Sequence, residues 1–83
     1  MDRFPVETGS LSEFEQALKQ LNCFVSSRTT LATLPGSIHW HIKSASEPRG
    51  TLEFTQLPSG ESWLSFHQNR HRPWINDVLQ QIL

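Results

Sequence analysis

The amino-acid sequence predicts an α+β fold of two layers, in which a three-stranded antiparallel meander packs against two helices. Two observations carry this prediction. Apolar residues recur every three to four positions near each end of the chain, and they alternate with polar residues through its middle. Turn sequences rich in Pro and Gly separate the alternating runs, so successive strands are expected to be antiparallel neighbours.

The chain has the size and composition of one small folded domain, residues 1–83. Of its 83 residues 36% are hydrophobic and 10% aromatic, which suffices for one core but not for two. The single cysteine, Cys23, excludes an internal disulfide and favours a reducing, cytoplasmic location. The sequence shows neither a signal peptide nor an apolar run near the roughly 18 residues that cross a membrane.

The first elements are an arm, a helix and a connector. Residues 1–9 are expected to be loosely ordered, and the Ser-x-x-Glu spacing that starts at Ser10 is typical of a capping box. A helix is therefore predicted over about 11–25, followed by a polar connector over 26–36 that ends in a Pro-Gly turn. The apolar face of this helix consists of Leu11, Phe14, Leu18, Leu21 and Val25.

Three alternating runs predict strands over about 37–44, 51–57 and 62–67. The residues expected to face the helices are Ile38, Trp40, Ile42, Leu52, Phe54, Leu64 and Phe66. A second amphipathic helix is predicted over about 73–83, with Pro73 as its first residue, where the missing N–H would have no partner. The inward row and the two helices form the predicted core.

The opposite face of the predicted sheet is left for solvent or a partner. Its residues are His39, His41, Lys43, Thr51, Glu53, Thr55, Leu57, Trp63, Ser65 and His67. One register places His41 beside Glu53 and Glu53 beside His67, which would allow a metal or acid–base site. The spacing matches no metal signature, so the sequence favours a solvated face of Glu–His pairs, and no metal or cofactor is assigned.

Trp63 places a large indole on that face, near Leu57. Exposed apolar surface of this kind usually contacts a protein partner or a second copy of the chain. Alternatively, the N-terminal arm with Phe4 and Val6 covers the indole, or Trp63 belongs to the core. The predicted partner-binding residues are His41, Glu53, Leu57, Trp63 and His67.

A short basic segment precedes the last helix and is the candidate anion or nucleic-acid site, with residues Asn69, Arg70, His71 and Arg72. The alternative is a polar loop whose arginines are solvated. The order helix, three strands, helix also resembles that of double-stranded RNA-binding domains, although the lysine- and alanine-rich opening of their closing helix is absent. The net charge of −1 argues against a nucleic-acid module.

The sequence shows no catalytic constellation, and the chain is therefore not expected to be an enzyme. Its predicted function is that of a small non-enzymatic interaction module, which associates with itself or a protein partner through the open sheet face. The alternative is binding of nucleic acid or a phosphate ligand through the basic segment.

Overall fold

The computed structural model describes residues 2–7 and 9–83, which form one five-stranded sheet and two α-helices. In chain order the elements are β1 (Arg3–Pro5), α1 (Leu11–Gln20), β2 (Cys23–Thr29), β3 (Ile38–Ser44), β4 (Leu52–Gln56), β5 (Ser62–Ser65), a 3-10 helix (Gln68–Arg70) and α2 (Pro73–Ile82). The α+β class is confirmed, whereas the predicted count of three strands is too low. Among the described residues, no helix is both long and apolar enough to cross a membrane.

The strands follow the order β1-β5-β4-β3-β2, and every neighbouring pair is antiparallel. One hydrophobic core lies between a face of this sheet and both helices. Its buried members are Val6, Phe14, Leu18, Cys23, Trp40, Ile42, Leu52, Phe54, Leu64, Ile75, Val78 and Leu79. Because β4 is the central strand, its side chains have neighbours on both sides on each face of the sheet.

The alternation of side chains in β3, β4 and β5 follows the phase that the sequence predicts. Five members of the predicted inward row are buried in the core: Trp40, Ile42, Leu52, Phe54 and Leu64. Ile38 and Phe66 pack against the core and are partly exposed. Since side chains of a strand alternate between faces, His39, His41 and Glu53 lie on the face away from the helices.

Helix α1 begins as predicted but ends earlier. The Ser10 hydroxyl accepts a hydrogen bond from the Glu13 amide at 3.1 Å, which is half of the predicted capping box. The helix stops at Gln20 rather than near residue 25, because Asn22 adopts a left-handed conformation with φ of 63°. Val25, expected on the helix, instead pairs with Ile42 in the sheet.

Both strands that the sequence did not predict lie at the edges of the sheet. Part of the expected arm forms β1, which pairs with β5, whereas Met1 and Thr8 of that arm lie outside the described residues. The first residues of the expected connector belong to β2, which pairs with β3. An edge strand has a single neighbour and shows weak apolar alternation, so pairing rather than pattern determines these two elements.

The segment between β5 and α2 is anchored to the turn that joins β3 to β4. Strand β5 ends at Ser65, two residues before the predicted end. The Thr51 amide donates to the Arg70 carbonyl at 3.1 Å, and the Trp74 indole N–H donates to the Arg49 carbonyl at 2.7 Å. A Cβ on Gly50, whose φ is 98°, would lie 2.7 Å from the Trp74 indole nitrogen, so this close approach requires glycine.

Candidate functional site

The face of the sheet that the helices leave open has a buried carboxylate at its centre. Glu53 lies on the central strand β4, and the residue is only 7% exposed. Depressions that are open to solvent lie on either side of it, with volumes of about 410 and 350 Å³. Glu53 lines both depressions and is the residue that they share.

Three imidazoles surround the Glu53 carboxylate. The distances to Oε1 are 3.0 Å from His39 Nε2 and 3.8 Å from His41 Nε2. His67 Nε2 lies 3.4 Å from the other oxygen, Oε2. Potential ligand atoms of His39, His41 and Glu53 lie within 4.8 Å of one another. We call these three residues, together with His67, the histidine cluster.

The backbone of the sheet places these side chains. Strand β3 presents His39 and His41 on one face because they are two residues apart, and His41 pairs with Glu53 across the β3–β4 ladder, as predicted. Ser65, rather than His67, is the β5 residue opposite Glu53. His67 follows the end of β5, and its side chain reaches the carboxylate from there; it is the most exposed of the three histidines.

His39 is the member of the cluster that the predicted register of His41, Glu53 and His67 did not include. Its Nε2 lies 3.0 Å from the Glu53 carboxylate, which only accepts, so in the metal-free protein Nε2–H donates to Glu53 and a neutral ring accepts from the Thr55 hydroxyl at Nδ1, 3.0 Å away. In the other tautomer Nδ1–H donates to Thr55, and the Nε2 lone pair is available to an ion. The alternation His-Trp-His at 39–41 already placed it on the open face. His39 lies diagonal to Glu53 rather than directly across the β3–β4 ladder. Pairing each strand residue only with its direct partner therefore does not predict this contact.

Burial lowers the pKa of His41 from its ordinary value. The Glu53 carboxylate acts in the opposite direction, and His39, Arg70 and Lys43 add to the lowering. The imidazole of His41 is therefore neutral near pH 7, which is the form that binds metals.

We expect the His41 ring of the metal-free protein to titrate at a lower pH when folded than when unfolded in urea. Because the folded state then binds fewer protons, the contribution of His41 to stability falls as the pH drops from about 6.5 toward the folded-state pKa. NMR of the ring nitrogens between pH 4 and 8 measures both midpoints, with His41→Gln to assign the signal. A folded-state midpoint at or above the unfolded one would contradict this expectation.

The structure corrects the expected exposure of Trp63. Its side chain lies on the open side of the sheet, but the residue is only 7% exposed, because the Arg3 guanidinium lies over the indole ring at 4.2 Å from its centroid. The covering residue thus comes from the N-terminal arm, although it is neither Phe4 nor Val6, both of which pack with the core. Leu57, just beyond β4, is partly exposed.

The residues of the predicted basic segment separate into two groups. Asn69 and Arg70 line the 410 Å³ depression together with three members of the histidine cluster. His71 instead packs against Phe66 with ring centroids 4.8 Å apart and the rings tilted by 30°, and its Nε2 lies 2.9 Å from the Asn76 side-chain oxygen. The Arg72 guanidinium donates to the His71 carbonyl. Half of the predicted anion site therefore belongs to the same surface as the histidine cluster.

Cys23 takes no part in this surface. It is the first residue of β2, not part of α1 as predicted, and it is buried in the core, where burial raises the pKa of its thiol. The thiol lies 3.5 Å from the Leu21 carbonyl. A protonated, buried thiol of this kind behaves as a small apolar side chain.

Fold and surface together define a small α+β domain with a histidine-rich polar face on an antiparallel sheet. No known protein family, curated protein sequence or solved structure matches this chain. Its function is therefore inferred from the geometry of the site.

Proposed function

We propose that this domain is a small, non-enzymatic binding module that holds a divalent transition-metal ion, with Zn²⁺ the best fit, in the histidine cluster. The observation that carries the proposal is the convergence of two imidazoles and one carboxylate whose donor atoms lie within 4.8 Å of one another. Imidazole nitrogen and carboxylate oxygen are common zinc ligands.

The separations of the donor atoms suit a tetrahedral ion. Zinc–ligand bonds of about 2.0–2.2 Å place tetrahedral donors roughly 3.3 Å apart. The two measured separations from Glu53 Oε1, 3.0 Å to His39 and 3.8 Å to His41, lie on either side of that value. The third separation, between ring nitrogens of His39 and His41, is at most 4.8 Å, which keeps all three donors within reach of one ion after side-chain rotation.

The surroundings of the ligands also support an ion. The hydrogen-bond partner of His39, the Thr55 hydroxyl, is the kind of second contact that orients metal-binding imidazoles. The Glu53 side chain is only 10% exposed, unlike the carboxylate of a solvated surface pair. The His39 imidazole contacts this carboxylate in the metal-free protein, and a divalent cation bound between them would compensate its charge directly.

Two features favour binding over catalysis or partner recognition on this face. Both depressions beside Glu53 open to solvent, whereas catalysis benefits from a site that excludes water. Arg3 covers the Trp63 indole, so the tryptophan on which the predicted partner surface depended is not an exposed aromatic anchor. Association with a protein partner or a second copy stays a prediction.

Calorimetric titration of the purified domain with Zn²⁺ tests the proposal. We expect one ion per chain, and a loss of affinity on the order of 100-fold or more in His39→Ala, His41→Ala or Glu53→Gln, because each removes one of three ligands. His67→Ala should have a smaller effect, since this imidazole faces the other carboxylate oxygen.

His71→Ala is the matched control, because His71 is the only one of the four histidines outside the cluster. This variant should bind Zn²⁺ as the wild-type protein does. An absence of binding by the wild-type protein, or an equal loss in His71→Ala, would refute the proposed metal site.

A further inference from the structure

We propose that the metal-loaded cluster binds a dianionic phosphate monoester. One phosphate oxygen coordinates the ion, and the Arg70 guanidinium binds the phosphate group from the side. This inference rests on the proposed function, because the ion supplies part of the binding site. The observation behind it is that His41, Glu53, His67, Asn69 and Arg70 line one depression.

The ligand count leaves a coordination position for a further ligand. The compact donor group contains three residues, His39, His41 and Glu53, and zinc takes four ligands. His67 contacts the far carboxylate oxygen at 3.4 Å, and its side chain is 54% exposed. Beside His41 and Glu53 the depression is open to solvent, so an exogenous oxygen can reach an ion that these residues hold.

The Arg70 guanidinium is available for an anion. Among the described residues, the ion pairs involve Glu15 and Glu53 as acids, and neither pairs with Arg70. The backbone of Arg70 is fixed at both polar groups: its amide donates to the His67 carbonyl at 2.9 Å, and its carbonyl accepts from the Thr51 amide at 3.1 Å. Arg70 therefore lies in a segment held by backbone hydrogen bonds, next to the histidine cluster.

The charges in the depression favour a dianion. A divalent ion and Arg70 contribute three positive charges, and the Glu53 carboxylate removes one, which leaves two to be neutralised. A phosphate monoester carries nearly two negative charges at pH 7, whereas a carboxylate or a phosphodiester carries one. Guanidinium binds phosphate oxygens in a bidentate manner, and the Asn69 amide and His67 imidazole offer further donors.

The test uses Co²⁺ in place of Zn²⁺, because its visible absorption reports on the ligands of the ion. We expect phenyl phosphate to change the spectrum of the Co²⁺-loaded domain saturably, and acetate or short duplex RNA to bind at least about tenfold more weakly. Arg70→Gln should retain Co²⁺ affinity and bind phenyl phosphate at least about tenfold more weakly. Arg72→Gln is the matched control, since this guanidinium is directed at the His71 carbonyl.

The outcomes separate the two proposals. Normal Co²⁺ binding without a response to phenyl phosphate would overturn this inference and leave the metal site standing. Equal affinity for phenyl phosphate in Arg70→Gln, in the metal-free domain or for duplex RNA would also overturn it. Failure of the wild-type domain to bind Co²⁺ or Zn²⁺ would refute both.

Discussion

Phe54→Ala should destabilise the folded state by about 3–5 kcal/mol, the usual cost of emptying a large buried aromatic site. Phe54 is fully buried on the central strand, with its ring centroid 4.5 Å from that of Phe14 and 5.6 Å from that of Trp40. It therefore joins helix α1 to two strands. At roughly 0.05–0.15 kcal/mol per residue, a domain of this size has a total stability of only ~4–12 kcal/mol.

Urea unfolding, followed by tryptophan fluorescence, measures this loss. The matched control is Phe24→Ala on the edge strand β2, where the side chain is 45% exposed, and its expected cost is less than about 1 kcal/mol. Equal unfolding midpoints for the two variants would show that Phe54 does not lie at the centre of the core.

Zinc at a hundredfold excess over its dissociation constant should raise the melting temperature by roughly 10–20 °C. A ligand that binds only the folded state at that excess stabilises it by about 2.7 kcal/mol. In a domain of 60–100 residues, each kcal/mol corresponds to about 4–8 °C. The folded sheet brings the three proposed ligands together, because they come from two neighbouring strands, β3 and β4.

Thermal melts with zinc, with magnesium and after addition of a chelator measure this effect. Magnesium should produce almost no shift, because it prefers oxygen ligands in octahedral geometry. His71→Ala should respond to zinc as the wild-type protein does, whereas Glu53→Gln, with an affinity about 100-fold lower, should shift by no more than about 3 °C. A shift of wild-type size in Glu53→Gln would place the bound zinc elsewhere.

The parts of the fold that were predictable are those with a strong local signal. The Ser10 cap, the N-terminal position of Pro73 in α2 and the alternation through β3, β4 and β5 each depend on neighbouring residues. The phase of that alternation placed His41 and Glu53 on the open face, and the two residues do pair across the ladder. Local propensity and burial agree in these segments.

The two edge strands and the end of α1 depended on distant partners. The backbone of Arg3–Pro5 finds its hydrogen-bond partners in β5, about sixty positions away in the chain, and the backbone of β2 finds its partners in β3. The left-handed conformation of Asn22 ends α1 and directs the chain into β2, which begins at Cys23. Short polar segments with a single neighbour carry little pattern of their own.

The chain's own order of residues determined the fold class, the inward row of the middle strands and the identity of the polar face. Only the tertiary structure decided that His39, His41 and His67 approach one carboxylate, that Arg3 covers Trp63, and that Arg70 shares the depression with the cluster. The physical reason is that periodicity specifies which face a side chain occupies, whereas diagonal contacts and loop placement depend on backbone pairing between distant segments.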